Sequence, residues 1–173
     1  MAAICCYAFG FADFTMITLH AAKTAAFPAA SMSLLYALAM AIDAFAALFF
    51  GWLFDKIGLK AMVLATLCST FFSCFIFLTN NPACMIVGIV LWGIGMGAED
   101  SIMKAAVSKI VPRNMRSTGF GIFETCYGIA WFLGSWLLGA LYDFNPVYLV
   151  MVSVAAQACS ILFYVLCIKV RKA

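Results

Sequence analysis

The chain has 173 residues, of which 67% are hydrophobic and 10% are charged, and it carries a formal net charge of +3. A soluble domain is usually about 45–50% apolar and about 25% charged, so this composition excludes a soluble globular protein and gives no indication of nucleic-acid binding. It predicts an integral membrane protein.

Six apolar stretches follow one another along the chain, at roughly 3–22, 32–54, 61–79, 84–104, 118–141 and 147–168. Each is long enough to cross a hydrocarbon core of about 30 Å as an α-helix. The four prolines, at positions 28, 82, 112 and 146, all fall between the stretches, where proline starts or ends helices. We predict an all-α membrane protein with six transmembrane helices in one domain, residues 1–173.

Three acidic residues lie inside predicted spans: Asp13 in the first, Asp43 in the second and Glu124 in the fifth. An ionised group at the bilayer centre costs about 2.5–3.5 kcal/mol on insertion scales, so such a residue usually faces a cavity or a partner. We predict that Asp13 and Asp43 bind a cation or a proton in a polar cavity, and that Glu124 binds substrate or a proton there. The predicted lining also includes His20, which shares a helix face with Asp13. Its further members are Tyr7, Tyr36, Tyr127, Trp131 and Gln157.

A structural role is the alternative for these acids, in which they are protonated and hydrogen-bond to neighbouring helices or to a second half of the protein. Desolvation favours the neutral form of a carboxyl group, so protonation fits both alternatives. Packing or interfacial anchoring is likewise the alternative role for the aromatic residues.

Residues 51–60, GWLFDKIGLK, form a charged turn between the second and third stretches. Gly51 allows the end of the second helix to approach a neighbour closely, and Gly58 can adopt a backbone angle that other residues avoid. Asp55 is placed to cap the third helix or to pair with a base from the loop between the fourth and fifth stretches.

The fourth stretch ends in the run GMGAED, residues 95–100. We predict that Glu99 and Asp100 close this helix as solvated partners of Lys104 or of the charged turn. Two glycines of the same stretch, Gly93 and Gly97, have a spacing that permits close packing against another helix.

Basic residues are concentrated in alternate loops. Nine of the ten Lys and Arg residues lie after the second, fourth and sixth stretches, and one, Lys23, lies elsewhere. Since cytoplasmic loops are enriched in such residues, we predict that both termini are cytoplasmic in a plasma (inner) membrane. The nine are Lys56, Lys60, Lys104, Lys109, Arg113, Arg116, Lys169, Arg171 and Lys172.

An internal repeat is visible in GWLFD at 51–55 and GALYD at 139–143, which share the pattern G-x-L-aromatic-D and lie 88 residues apart. One ends a predicted helix at the cytoplasmic face and the other at the outer face, as two three-helix units of opposite orientation would. We predict inverted repeats at about 1–83 and 84–173, with a chance match as the alternative.

The pattern G-x-x-x-D-[RK]-x-G-x-[RK] at 51–60 resembles the loop 8–9 signature of the major facilitator superfamily, although Leu59 stands where the family often has a basic residue. Residues 111–143 resemble its loop 10–11 and helix 11. The resemblance implies the C-terminal six-helix half-bundle of a twelve-helix transporter. It also implies a cytoplasmic gate formed by Gly51, Asp55, Lys56 and Gly58, with Arg113 or Arg116 as the charge partner of Asp55.

The sequence and the resemblance together predict a proton-coupled secondary active transporter that moves a small solute by alternating access. The alternative is a non-transporting or degenerate membrane subunit. The predicted partners are a small-molecule substrate, the lipid bilayer, and a missing N-terminal half or a second half-transporter. No nucleotide-binding loop and no protease motif with the required spacing occurs, so we predict no catalytic residue, cofactor or metal site, and no enzyme.

Overall fold

The computed structural model describes residues 1–170, and all regular elements in that range are helical. The α-helices are α1 Ala2–Gly10, α2 Phe14–Lys23, α3 Met32–Ile57, α4 Lys60–Ser69, α5 Phe72–Phe77, α6 Pro82–Ile110, α7 Arg116–Phe144 and α8 Pro146–Val170. Short 3-10 turns at Ala29–Ser31 and Arg113–Met115 precede α3 and α7. Arg171 and Lys172, which contribute to the predicted charge asymmetry, lie outside the described residues.

The helices form six long segments, because α1 and α2 follow each other as one segment and so do α4 and α5. Within residues 1–170, five segments are long and apolar enough to cross a membrane: Ala2–Lys23, Met32–Ile57, Lys60–Phe77, Pro82–Lys109 and Pro146–Val170. The sixth, α7, has 29 residues, but its five glycines and two tryptophans lower its mean hydropathy. The predicted all-helical membrane architecture is therefore confirmed.

The first segment is interrupted at 11–13, where the sequence predicted one continuous helix. Phe11 has extended backbone angles, φ −91° and ψ 108°, as does Asp13, which precedes α2. Neighbouring helices satisfy carbonyl groups beside the break. The Ser153 hydroxyl donates to the Gly10 carbonyl at 2.7 Å, and the Trp92 indole N–H donates to the Ala12 carbonyl at 2.8 Å. Such partners make non-helical backbone tolerable inside a membrane protein.

Two groups of helix contacts hold the bundle together. The second segment, α3, packs along α6, while α1 packs against α7 and α8, and α6 also contacts α4 and α5.

Gly97 and Gly93 of α6 face the backbone of α3: a methyl group on Gly97 would collide with the Asp43 carbonyl oxygen, and one on Gly93 would lie 2.8 Å from the Ala39 carbonyl oxygen. The predicted close packing at these glycines is present. The division into repeats at residues 83 and 84 stays a prediction.

The fourth segment continues to Ile110, six residues beyond its predicted end at 104. Lys104 interrupts the apolar run, but the helix continues because Ile102, Met103 and Ala106 are buried in the core while Lys104 is exposed. The extension places Glu99 well inside the helix, where the sequence had placed it at the helix end.

Candidate functional site

A cavity of about 640 Å³ lies beside the break in the first segment. It is bounded by the start of α2, by α3, and by single turns of α6 and α7. The lining residues are Asp13, Phe14, Thr15 and Thr18 from the first segment, Met32, Ser33, Tyr36 and Met40 from α3, Trp92 and Met96 from α6, and Trp131 from α7. Aromatic and thioether side chains predominate, as is usual in small-molecule sites.

Asp13 is the one charged residue among the described residues that line this cavity. It is half-buried and is the N-cap of α2, because its Oδ1 accepts a hydrogen bond from the Thr15 backbone N–H at 3.2 Å. An aspartate favours this position because its short side chain satisfies a free N–H group of the first helical turn. The carboxylate thus has a structural role and also faces the cavity.

The structure does not bring the predicted cavity residues into one site. Asp13, Tyr36 and Trp131 line the cavity, whereas the buried Tyr7 and Gln157 do not. His20 is buried elsewhere, with its Nδ1 2.9 Å from the Tyr142 hydroxyl. The shared helix face predicted for Asp13 and His20 does not bring them to one site. Helix α2 starts only after Asp13, and the His20 ring packs against Phe77 and Tyr142.

The other predicted residues lie on separate surfaces. Asp43 is half-buried on α3 where its backbone meets Gly97, and its Oδ1 has no hydrogen-bond partner among the described residues. Glu124 is exposed on α7 and is not part of the cavity lining. Tyr127 points to a different carboxylate, that of Glu99.

Glu99 is a buried acid whose setting the sequence analysis missed. Only 4% of the residue is exposed, and its Oε2 accepts a hydrogen bond from the Tyr127 hydroxyl at 2.9 Å. The prediction that Glu99 is solvated is therefore wrong, while Asp100 does pair with Lys104 at 3.5 Å as expected. The available signal was the position of Glu99 after glycine-rich turns, since glycines there allow neighbouring helices to approach and enclose it.

At the end of the bundle that carries the 51–60 turn, Asp55 pairs with Lys109. The Lys109 Nζ lies 3.0 Å from the Asp55 Oδ1. Neither predicted partner takes this position: Arg116 donates to the Ser108 carbonyl at 2.8 Å, and Arg113 is exposed in a 3-10 turn. The expectation of an arginine partner is corrected, because the extended α6 carries Lys109 to the end of α3.

The remaining residues of the predicted gate have separate structural roles. Gly58 ends α3 with a positive φ of 62°, which favours glycine. A methyl group on Gly51 would lie 2.5 Å from the Ser101 Oγ of α6. Lys56 lies over the Trp52 ring, with its Nζ 3.8 Å from the ring centroid. These features fix the turn and its approach to α6.

A bundle of long apolar helices around a cavity beside a broken helix is the arrangement of a multi-pass membrane protein. The family model of the Major Facilitator Superfamily matches residues 1–172. The chain therefore belongs to the Major Facilitator Superfamily, a family of membrane transporters, and the resemblance noted in the sequence is confirmed.

Three curated relatives are uncharacterized proteins, one from Mycobacterium bovis and two from strains of Mycobacterium tuberculosis. Each is 31% identical to the chain over 148 residues, which is 86% of this chain and 36% of the relative. The chain thus spans about a third of the length of the curated relatives it matches.

Proposed function

We propose that the chain binds a small solute in the cavity at Asp13 and moves it across the membrane by alternating access. The observation that carries this proposal is the position of the cavity beside the break at 11–13, since discontinuous helices commonly form the substrate sites of secondary transporters. Trp92 contributes to both features, because it lines the cavity and holds the Ala12 carbonyl at the break.

Alternating access can be tested with a single cysteine at Thr15, an exposed cavity residue. The eight native cysteines are first replaced by serine or alanine. Thr15→Cys is then treated, in vesicles, with a membrane-impermeant thiol reagent applied to the inner or the outer side. We expect reaction from both sides in separate experiments, because the cavity opens to each side in turn.

Asn80→Cys is the matched control for this experiment, because Asn80 is exposed in the connection between α5 and α6. It should react from one side only. Reaction of Thr15→Cys from a single side would contradict alternating access and favour the non-transporting membrane subunit.

We also propose that a second six-helix unit covers the cavity, either a further part of a longer chain or a second copy. The curated relatives support this because they contain additional sequence beyond the matched part. The native size in the source membrane is the test. A particle close to the 18.8 kDa of this chain would contradict the proposal, whereas twice that mass or more would support it.

The proposed orientation places both chain termini and the 51–60 turn in the cytoplasm, in the plasma (inner) membrane. The excess of Lys and Arg around that turn and around α6 and α7 supports it. Fusion of a reporter that is active only in the cytoplasm tests it: activity after residue 173 but not after residue 80 is expected, and the opposite result would reverse the orientation.

A proton gradient is the proposed driving force, and Asp13, Asp43 and Glu124 are the acids that the sequence offers for it. Asp13 has the position of a solute contact, since it faces the cavity. Uptake of a candidate solute into vesicles, with and without an imposed pH gradient, tests the coupling. Uptake that is unaffected by the gradient would remove the proton from the mechanism.

A further inference from the structure

The Glu99 side chain is buried in the bundle, and within residues 1–170 no basic group forms an ion pair with it. It is 4% exposed and accepts one hydrogen bond, from the Tyr127 hydroxyl at 2.9 Å. Among the described residues, no Lys, Arg or His nitrogen lies within 4.0 Å of its carboxylate. Ionisation of a buried carboxyl without a basic partner is costly, so the neutral acid fits this site.

Among the described titratable groups near Glu99, Lys104 is the one basic group, and its side chain is exposed. The groups that face Glu99 are Tyr7 from α1, Tyr127 and Glu124 from α7, Tyr164 from α8, and Asp100 and Lys104 on its own helix. Lys104 is already paired with Asp100 at 3.5 Å. Asp43 of α3 lies near Asp100 and Lys104, and its Oδ1 makes no hydrogen bond within the described residues.

Tyr127 connects this buried acid to the cavity. Its ring packs against the Trp131 ring with centroids 5.6 Å apart, and Trp131 lines the cavity. Trp131 in turn packs against Phe11, the first residue of the break, with centroids 5.9 Å apart. A continuous row of aromatic contacts therefore leads from the cavity to the residue that donates to Glu99.

We infer that Glu99 is a proton-binding site, held by the Tyr127 hydroxyl and linked to the solute cavity through Trp131. Glu99 binds a proton when it is enclosed, and it releases that proton when movement of Tyr127 and the surrounding helices admits water to the carboxylate. The link to transport rests on the proposed function, whereas the proton site itself does not.

Infrared difference spectroscopy of the chain in lipid vesicles tests the site directly, with the proton as the only ligand. The carbonyl stretching band of a protonated carboxyl in an apolar setting should disappear as the pH is raised. We expect Glu99→Gln to abolish this band, because glutamine imitates the neutral acid and cannot ionise. Asp143→Asn, which changes an exposed acid near the far end of α7, is the control and should retain it.

Tyr127→Phe is a second variant that keeps the acid and removes its hydrogen bond. We expect its band to disappear at a pH higher by about one unit, since the carboxylate form loses a donor. This variant tests the site even if Glu99→Gln fails to fold. A band that survives in Glu99→Gln, a midpoint that is unchanged in Tyr127→Phe, or no titrating carboxyl band in the unmodified chain would overturn the inference.

The outcomes separate this inference from the proposed function. A titrating Glu99 band together with one-sided labelling of Thr15→Cys would retain the proton site and reject transport. Two-sided labelling without a Glu99 band would retain transport and reject Glu99 as its proton site.

Discussion

Lys109 contacts Asp55 in the same way that Lys23 contacts Asp143 at the opposite end of the bundle. The Lys–Asp distances are 3.0 Å and 3.6 Å. Each lysine also lies over the aromatic ring that precedes its aspartate, 4.6 Å from the centroid of Phe54 and 4.7 Å from that of Tyr142. The two G-x-L-aromatic-D segments therefore have equivalent basic partners, a similarity that five matching sequence positions did not reveal.

The energetic coupling of the Asp55–Lys109 pair is expected to be below about 1 kcal/mol, because exposed ion pairs are screened by water and salt. The two side chains are 73% and 56% exposed. A double-mutant cycle with Asp55→Asn and Lys109→Gln, measured by reversible unfolding in mixed micelles, gives this value. The same cycle on Lys23 and Asp143 is the matched control, and a coupling of several kcal/mol in either pair would contradict the expectation.

Two substitutions at Asp13 separate its capping role from its charge. Asp13→Asn should retain nearly the full free energy of unfolding, because asparagine caps helices about as well as aspartate does. Asp13→Ala should lose about 0.5–2 kcal/mol and should speed hydrogen exchange at the Thr15 amide, which Asp13 now binds. Equal destabilisation by both variants would show that the negative charge, and not the cap, stabilises α2.

Trp92→Phe should destabilise the chain by about 1–3 kcal/mol, because the Ala12 carbonyl at the break loses a buried donor. Faster hydrogen exchange at residues 11–14 is expected at the same time. Trp136→Phe is the control, since Trp136 is 67% exposed while Trp92 is 3% exposed. An equal effect of the two substitutions would mean that ring size, and not the hydrogen bond, matters at Trp92.

Gly97→Ala should destabilise the contact between α3 and α6 by about 1–3 kcal/mol, because the added methyl group forces the helices apart. Gly128→Ala on α7 is the matched control: nothing lies within 4 Å of a methyl group there, and alanine favours a helix by up to about 1 kcal/mol. Unfolding in mixed micelles compares the two. A Gly97→Ala variant as stable as the unmodified chain would show that α3 and α6 can separate without loss.

Much of the fold could be predicted from the sequence because hydropathy and helix-ending prolines act locally. The six apolar stretches correspond to the six helical segments, and Pro82 and Pro146 begin α6 and α8 as expected. The break at 11–13 could not be predicted from periodicity, because it depends on the donors Trp92 and Ser153 on other helices. The end of α6 was missed because buried side chains, and not hydropathy alone, extend the helix past Lys104.

At the candidate site, the sequence identified polar residues inside the helices, but only the tertiary structure shows which of them reach the cavity. Asp13 and Tyr36 meet at one cavity, but His20, Asp43 and Glu124 do not join them. The sequence could not decide which of them share a site, since a polar residue in an apolar run has the same signature on every face of a helix. Rotation of each helix about its axis decides which side chains are enclosed, and close contacts such as that of Gly97 with α3 set this rotation.

The sequence by itself determined that this protein is a multi-pass helical membrane protein of the Major Facilitator Superfamily, because composition, segment length and the 51–60 signature are properties of the linear chain. Only the tertiary structure decided that Glu99 is enclosed and hydrogen-bonded to Tyr127, and that Lys109 is the partner of Asp55. Glu99 and Tyr127 are 28 positions apart in the chain, and Asp55 and Lys109 are 54 positions apart. Only helix packing brings such distant residues together.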